Sequence, residues 1–283
     1  MNGNAAATSL LPRDPRVFQI VALTSLLTFG ILGRSFDIPV SHIAAIFAAA
    51  LSAQWVGSFI NAIKFDPKSP LITGLSLTLL LRSDEAWPLA IAAFLAIGLK
   101  FTLRFKGKHI FNPANAGIVA MLLISGAVWT TPGQWGSAMW LAAVLAGAGF
   151  FVTYRAARLD VPLIFLGSFA LLMFARAIWL GDPLTIPMLR LQNGALILFA
   201  FFMISDPMTT PDGKKARAFF AVSVAALAYY LMFHQFKSDG IFYALAIICF
   251  FRPIMEFFDP APLYQWATKP TRRARRTPTI PAE

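Results

Sequence analysis

Apolar residues along this chain come in solid blocks with short polar breaks between them. Ten apolar runs lie near 17–33, 38–60, 71–82, 86–104, 113–129, 135–152, 161–180, 192–205, 217–233 and 240–258. Runs that are apolar all round, with Lys, Arg, Pro and Gly gathered in the breaks, predict helices surrounded by lipid or buried among other helices. A bilayer-spanning helix needs ~20 such residues. The third and eighth runs fall short of that, at 12 and 14 residues.

The short runs hold matching places, third of the first five and third of the second five. Five spans per half is an odd number, so the two halves must face opposite ways, which is the arithmetic of an inverted-topology repeat. TGLSLTLLLRSDEAWP and NGALILFAFFMISDPMTTP agree locally: each runs from a glycine through an apolar stretch to Ser-Asp. The predicted fold is therefore an all-α polytopic membrane protein of about ten transmembrane helices. They form two inverted five-helix repeats, with short or broken third and eighth helices. The expected organisation is a cytoplasmic segment 1–16, a transmembrane domain 17–260 with repeats of about 17–130 and 135–260, and a basic cytoplasmic tail 261–283.

Composition strengthens the membrane reading. The chain is 58% hydrophobic and 13% charged, where a soluble domain carries about 25% charged residues. Twenty-seven Phe and seven Trp are too many for one soluble core of this length. The net charge of +11 points away from nucleic acid because the cations sit in the breaks and in the tail TKPTRRARR. Assigned alternately to two sides, 17 of the 24 cations fall on one side, and only Arg34, Arg82, Arg190 and Lys237 fall on the other. That bias predicts both termini in the cytoplasm. The N-terminus lacks a basic region ahead of an apolar stretch, so no cleaved signal is expected and the first run is a retained helix. Cys249 is the only cysteine, which leaves no internal disulfide and no Cys-built metal site, and it reads as a small buried hydrophobe.

Two polar places interrupt the apolar pattern. Asn112-Pro113 in KGKHIFNPANAGIVA is a helix start, Asn as the cap and Pro in the first turn. Ala114, Ala116 and Gly117 then allow another helix or a ligand to approach closely. The same NPA tripeptide occurs in aquaporins, which need two copies and six spans. The second place is SDPMTTPDGKK, where Asp206 is placed to cap free backbone N–H groups and Pro207 stops the helix. It reads either as a turn at the membrane surface or as a discontinuous helix that ends against a central site. His109 reads as an interfacial loop residue or a proton carrier. Arg176 and Arg252 lie inside apolar runs, either as functional intramembrane cations or snorkelling to the surface. Gln54 and Asn61 are candidates for hydrogen bonds between helices. No general acid–base pair, nucleophile triad or phosphate loop appears, and no catalytic or metal-ligating residue is assigned.

FNPANAG, GALILFAFFMISDPMTTPDGKKARAFFA and YALAIICFFRPIMEFFDP together resemble the RnfD and NqrB family of the Rnf and Nqr complexes, and SPLITGLSLTLLLR resembles an early segment of the same family. The resemblance runs over about residues 50–265, as a divergent member. More distantly, the chain looks like membrane proteins of enediyne biosynthesis clusters. The family resemblance implies a multi-pass subunit of an ion-motive electron transport complex in the bacterial inner membrane. It implies other membrane and redox subunits, the lipid bilayer and a quinone as partners, and no nucleic acid. It also implies FMN carried as a phosphoester on a threonine in an external loop. Here ISGAVWTTPGQWG places Val128 at that position, and valine has no hydroxyl to esterify. The expectation is FMN or riboflavin held non-covalently, with Thr130 and Thr131 as substitute acceptors. The remaining cofactor-binding candidates are Asn112, Asn115, Gly117, Ser205, Asp206, Thr209 and Thr210. The alternative functions are an inverted-repeat transporter or channel, or an accessory membrane protein of a biosynthetic pathway, each without a redox cofactor.

Overall fold

The computed structural model describes residues 14–136 and 138–266. The expectations for the first thirteen residues and for the arginine-rich stretch of the tail lie outside the described residues. The helices are α1 (Pro15–Gly33), α2 (Val40–Ile60), α3 (Lys68–Leu80), α4 (Ala86–Thr102), α5 (Pro113–Ile124), α6 (Met139–Arg155), α7 (Asp160–Leu180), α8 (Thr185–Leu191), α9 (Gly194–Leu198), α10 (Lys214–Phe233) and α11 (Gly240–Phe258). Four two-residue strands, β1 (Leu81–Arg82), β2 (Arg104–Phe105), β3 (Lys108–His109) and β4 (Trp129–Thr130), pair antiparallel as β1–β4 and β2–β3. This is an all-α multi-pass membrane protein. Among the described residues five helices are long and apolar enough to cross a bilayer. A sixth span results if α8 and the helix beginning at Gly194 count as one, bent by 51°.

Each apolar run of the sequence coincides with a helix, but several boundaries moved. α3 begins at Lys68 and stops at Leu80, because Leu81 turns extended to pair with Thr130. Its 13 residues rise about 20 Å, short of the ~30 Å hydrocarbon core. α5 ends at Ile124 and not near 129: Ser125 Oγ accepts from the Ala127 amide, and the chain bends back into β4. α6 starts at Met139 because a 3₁₀ turn at Pro132–Trp135 takes up the residues before it. A short helix that no run predicts, α8, precedes the eighth run, and the two are broken apart at Gln192-Asn193. Asn193 caps the new helix through bonds from the Ala195 and Leu196 amides, and α9 then widens into a π-helical turn at Phe199–Met203.

Side-chain ties place the helix ends in two groups. At one end Arg16 meets Asp66, Asn112 meets Asp206, and Arg158 meets Asp212. At the other end Thr130 donates to Asp239, Arg82 donates to Gln134, and Asn193 donates to the Pro132 carbonyl. These are called the Asp206 end and the Thr130 end below. α2 packs along α4 and α4 along α5. α7 packs along α10 and α10 along α11. α1 lies on α3, as α6 lies on α9. α4 and α5 approach closely, and a Cβ on Gly117 would sit 2.5 Å from the Ala92 carbonyl oxygen.

That contact is with backbone, which cannot swing aside. Gly117→Ala is therefore expected to destabilise the protein by about 1–3 kcal/mol, and Gly117→Val by more. Thermal melts of the detergent-purified variants check this; an unchanged midpoint for both would disprove the packing role.

Candidate functional site

The two polar interruptions meet. His109 Nε2 lies 3.2 Å from Asp206 Oδ2, and Asn112 Nδ2 donates to the same oxygen at 3.4 Å and to the Met203 carbonyl at 3.3 Å. The Asn112-Pro113 and Asp206-Pro207 turns thus lie at one end, as the loop-charge pattern requires. Asn112 performs the cap expected of it, its Oδ1 accepting from the Asn115 amide at 3.1 Å. Asp206 does likewise, its Oδ1 accepting from the Met208 amide at 2.9 Å. Burial alone would raise the Asp206 carboxyl, but the His109 hydrogen bond and charge, the Met208 amide and the Lys108 charge hold it below the usual carboxylate range.

A cavity of about 220 Å³ opens beside this crossing. His109, Asn112 and Asp206 line it together with Gln54 of α2, Ser69 of α3 and Lys100 of α4. Lys100 Nζ donates to Gln54 Oε1 at 2.7 Å and to Ser69 Oγ at 2.9 Å, so α2, α3 and α4 are joined by one ammonium. The Gln54 prediction of a bond between helices holds. The Asn61 prediction does not: its amide donates to the Gly57 carbonyl one turn earlier on its own helix. At the cavity's rim Arg16 lies 4.8 Å from the Trp266 ring, so the first described residues of the tail fold back over this end.

Behind the crossing is a buried charge cluster. Asp212 receives Lys108 Nζ at 3.0 Å and Arg158 Nη2 at 2.8 Å. Lys108 also donates to the Thr210 carbonyl at 2.7 Å, and Arg158 Nε to Thr210 Oγ1 at 3.2 Å. Arg217 reaches the Asp212 carbonyl and Asp160, each at 2.7 Å. Arg252 donates to the Met208 carbonyl at 3.1 Å and stands 3.7 Å from Glu256. This corrects two expectations. Lys108, Arg158 and Arg217 are interior groups and not solvated loop cations, and Arg252 is wholly buried and does not snorkel. Arg176 is the partly exposed one, paired with Asp182 at 3.3 Å beside the Phe233 ring.

The nine cofactor-binding candidates separate accordingly. Asn112 and Asp206 line the cavity. Ser205 donates to the Phe201 carbonyl, and Thr209 and Thr210 both donate to the Asp206 carbonyl, so these three shape the turn. Asn115 donates to the Phe242 carbonyl of α11 at 3.1 Å, with its Oδ1 buried and unpaired. Gly117 serves helix packing. Thr130 and Thr131 stand at the opposite end, Thr130 bonded to Asp239 and Thr131 with its hydroxyl buried and unpaired. Val128 is buried there as well. Sequence reasoning missed Lys100, Asp66 and the Asp212 cluster. A lysine in the middle of LAIGLKFTLR was the one visible signal, since an isolated cation in an apolar run must find partners.

The model of the NQR2, RnfD, RnfE family matches residues 123–263. A Clostridium ljungdahlii protein, named as the D subunit of a proton-translocating ferredoxin:NAD(+) oxidoreductase complex, is 24% identical over 292 aligned positions, covering 84% of this chain and 87% of its own. An Escherichia coli protein, named as the D subunit of an ion-translocating oxidoreductase complex, is 28% identical over 152 positions, covering 54% of this chain and 40% of its own.

The Asp206 geometry has a pH consequence. A carboxyl held below its unfolded value, ~3.9, stabilises the fold at neutral pH, and that stability is lost as pH falls through the folded value. Asp206→Asn should melt lower than wild type at pH 7, with the gap closing as pH drops below about 4. A gap independent of pH would rule this out. Asp212→Asn leaves Lys108 and Arg158 short of a buried anion and should cost about 3–5 kcal/mol, read as loss of folded protein on size exclusion.

Proposed function

We propose that the chain is a member of the NQR2, RnfD, RnfE family, whose model matches residues 123–263, and that it is the membrane subunit of an Rnf/Nqr-like ion-motive electron transport complex. The observation that carries the reading is the cavity beside the Asn112–Asp206 crossing, whose lining mixes polar groups with Ile63, Ile72, Phe101 and Phe202. Ligand sites are mostly apolar slots with a few fixed polar groups, and Gln54, Ser69, Lys100, His109 and Asn112 supply such groups here. A volume of about 220 Å³ suits a flavin ring or a quinone headgroup, with any remaining ligand atoms reaching outside it. FMN or riboflavin would be held non-covalently. Val128 cannot be esterified, Thr130 is bonded to Asp239, and Thr131 is closed off from solvent.

When bound, such a group supplies one- or two-electron transfer. The chain's own part is to bind, orient and tune. Lys100, with one N–H beyond those on Gln54 and Ser69, offers a donor to a ring carbonyl or to a reduced anion, and Asn112, with both amide hydrogens engaged, fixes Asp206 beside it. His109 is held at Nε2 by Asp206, which leaves Nδ1 as the ring nitrogen free to exchange a proton. The π-helical turn at Phe199–Met203 sets Phe202 and Asp206 against the cavity; such turns recur at functional sites.

We further read the scaffold as ten crossings in two inverted halves, in the bacterial inner membrane with both termini cytoplasmic. Repeated helix pairings support this: α1–α3, α2–α4 and α4–α5 in the first half match α6–α9, α7–α10 and α10–α11 in the second. The sidedness rests on the cation bias, which places the Asp206 end in the cytoplasm. The names of the relatives support further membrane and redox subunits as partners.

The expected result is a yellow native sample with flavin absorbance and a dark band when the denaturing gel is imaged under ultraviolet light. Lys100→Met and Asn112→Ala should each lower the retained flavin at least several-fold while preserving the size-exclusion profile. A fluorescent band on the gel would overturn non-covalent binding. A colourless preparation, with no flavin retained after reconstitution, would favour the transporter or accessory reading.

A further inference from the structure

A second cavity, of about 250 Å³, lies at the Thr130 end, away from everything assigned above. It sits where the start of α2, the end of α3, the start of α4 and the β1–β4 pair converge. On its wall is His42, 8% exposed, on the first turn of α2. The imidazole makes no hydrogen bond among the described residues, and His42 lines this cavity. A buried polar group without a protein partner needs water or a ligand to satisfy it. At ~30 Å³ per water, the cavity holds several.

The charged and titratable groups lining the cavity are His42, Asp37, Arg82 and Asp84. Arg82 is already engaged, donating to the Thr78 and Leu81 carbonyls and to Gln134 Oε1. Asp37 and Asp84 are exposed and make no ion pair among the described residues, so the mouth of the cavity carries two free carboxylates. Their charge draws cations from solvent toward the cavity mouth.

We propose that this cavity is a proton-exchange vestibule on the face opposite Asp206, with His42 as the group that takes a proton from cavity water and returns it. Hydronium gives up its proton to the free imidazole nitrogen and leaves water, and the reverse step releases it, so nothing is oxidised or reduced. Histidine is suited to this because its charge changes between pH 5 and 8. The inference does not require a bound flavin and stands independently of the electron-transfer reading.

Trp129 lines the same cavity and reports on it, because a protonated imidazole quenches a nearby indole. The test is a titration of intrinsic fluorescence between about pH 5 and 8, on the full chain in nanodiscs. Wild type should show a reversible quench at the acid side. His42→Gln and Trp129→Phe should each abolish that component, while His234→Gln, remote from the cavity, should keep it. His42→Asn should abolish it as well, an arm that remains decisive if His42→Gln does not fold. An acid-side quench of unchanged amplitude in His42→Asn or in Trp129→Phe would overturn the proposal. So would a midpoint that moves when sodium replaces choline at constant ionic strength, since the cavity would then be binding a metal cation.

Discussion

One carboxylate organises the Asp206 end of this protein. Asp212 accepts Lys108 from the loop before α5 and Arg158 from the turn between α6 and α7, while its own carbonyl accepts Arg217 of α10. Four separate parts of the chain are thereby pinned at one point in a nearly water-free setting. Two buried cations on one anion would be costly if the anion were alone. The Thr210 carbonyl and hydroxyl, Asp160 and Glu256 spread the compensation over a network. Such a network specifies geometry more than it adds stability. Its consequence is that the SDPMTTPDG segment cannot drift, so Asp206 stays aimed at His109 and Asn112.

The cavity follows from that fixed point. α3 and α9 are too short to cover the membrane's thickness, so their ends leave room that longer helices would have filled. Lys100 closes one side by joining α2 to α3. The π-helical turn closes another by swelling the last turn before Asp206. Trp266 completes the rim from the C-terminal strap with its ring against Arg16, while the Tyr264 ring lies against Arg158 of the charge cluster. Burial pushes the Tyr264 hydroxyl up to about 12, so it stays neutral and the strap adds no anion to the cluster. The opposite end is built differently, from short strand pairing and carbonyl bonds around Gln134 and Asn193. There, among the described residues, His42 is the buried titratable group without a protein partner.

Much of this was legible in the chain. Block hydrophobicity determined the helices, because apolar backbone in lipid must satisfy its own hydrogen bonds. The spacing of the short runs marked where helices would stop, and Asn112-Pro113 and Asp206-Pro207 carried their capping chemistry in adjacent residues. Such features are local, and local chemistry is readable from local sequence. The partners of the charged residues were not readable. Lys108, Arg158 and Arg217 look identical to the exposed Lys106 and Lys214 as letters, yet the first three are buried. Arg252 looked able to reach the surface, and only the packing of α11 turned it inward to Met208. Gln54 lies within α2 and Asn61 caps its end. Only the neighbour beside each decided that Gln54 bridged to another helix and Asn61 did not. The sequence by itself thus determined the helices, their breaks and the absence of an esterifiable residue at 128. The tertiary structure alone decided which charges meet, because ion pairing and cavity walls depend on contacts between residues far apart along the chain.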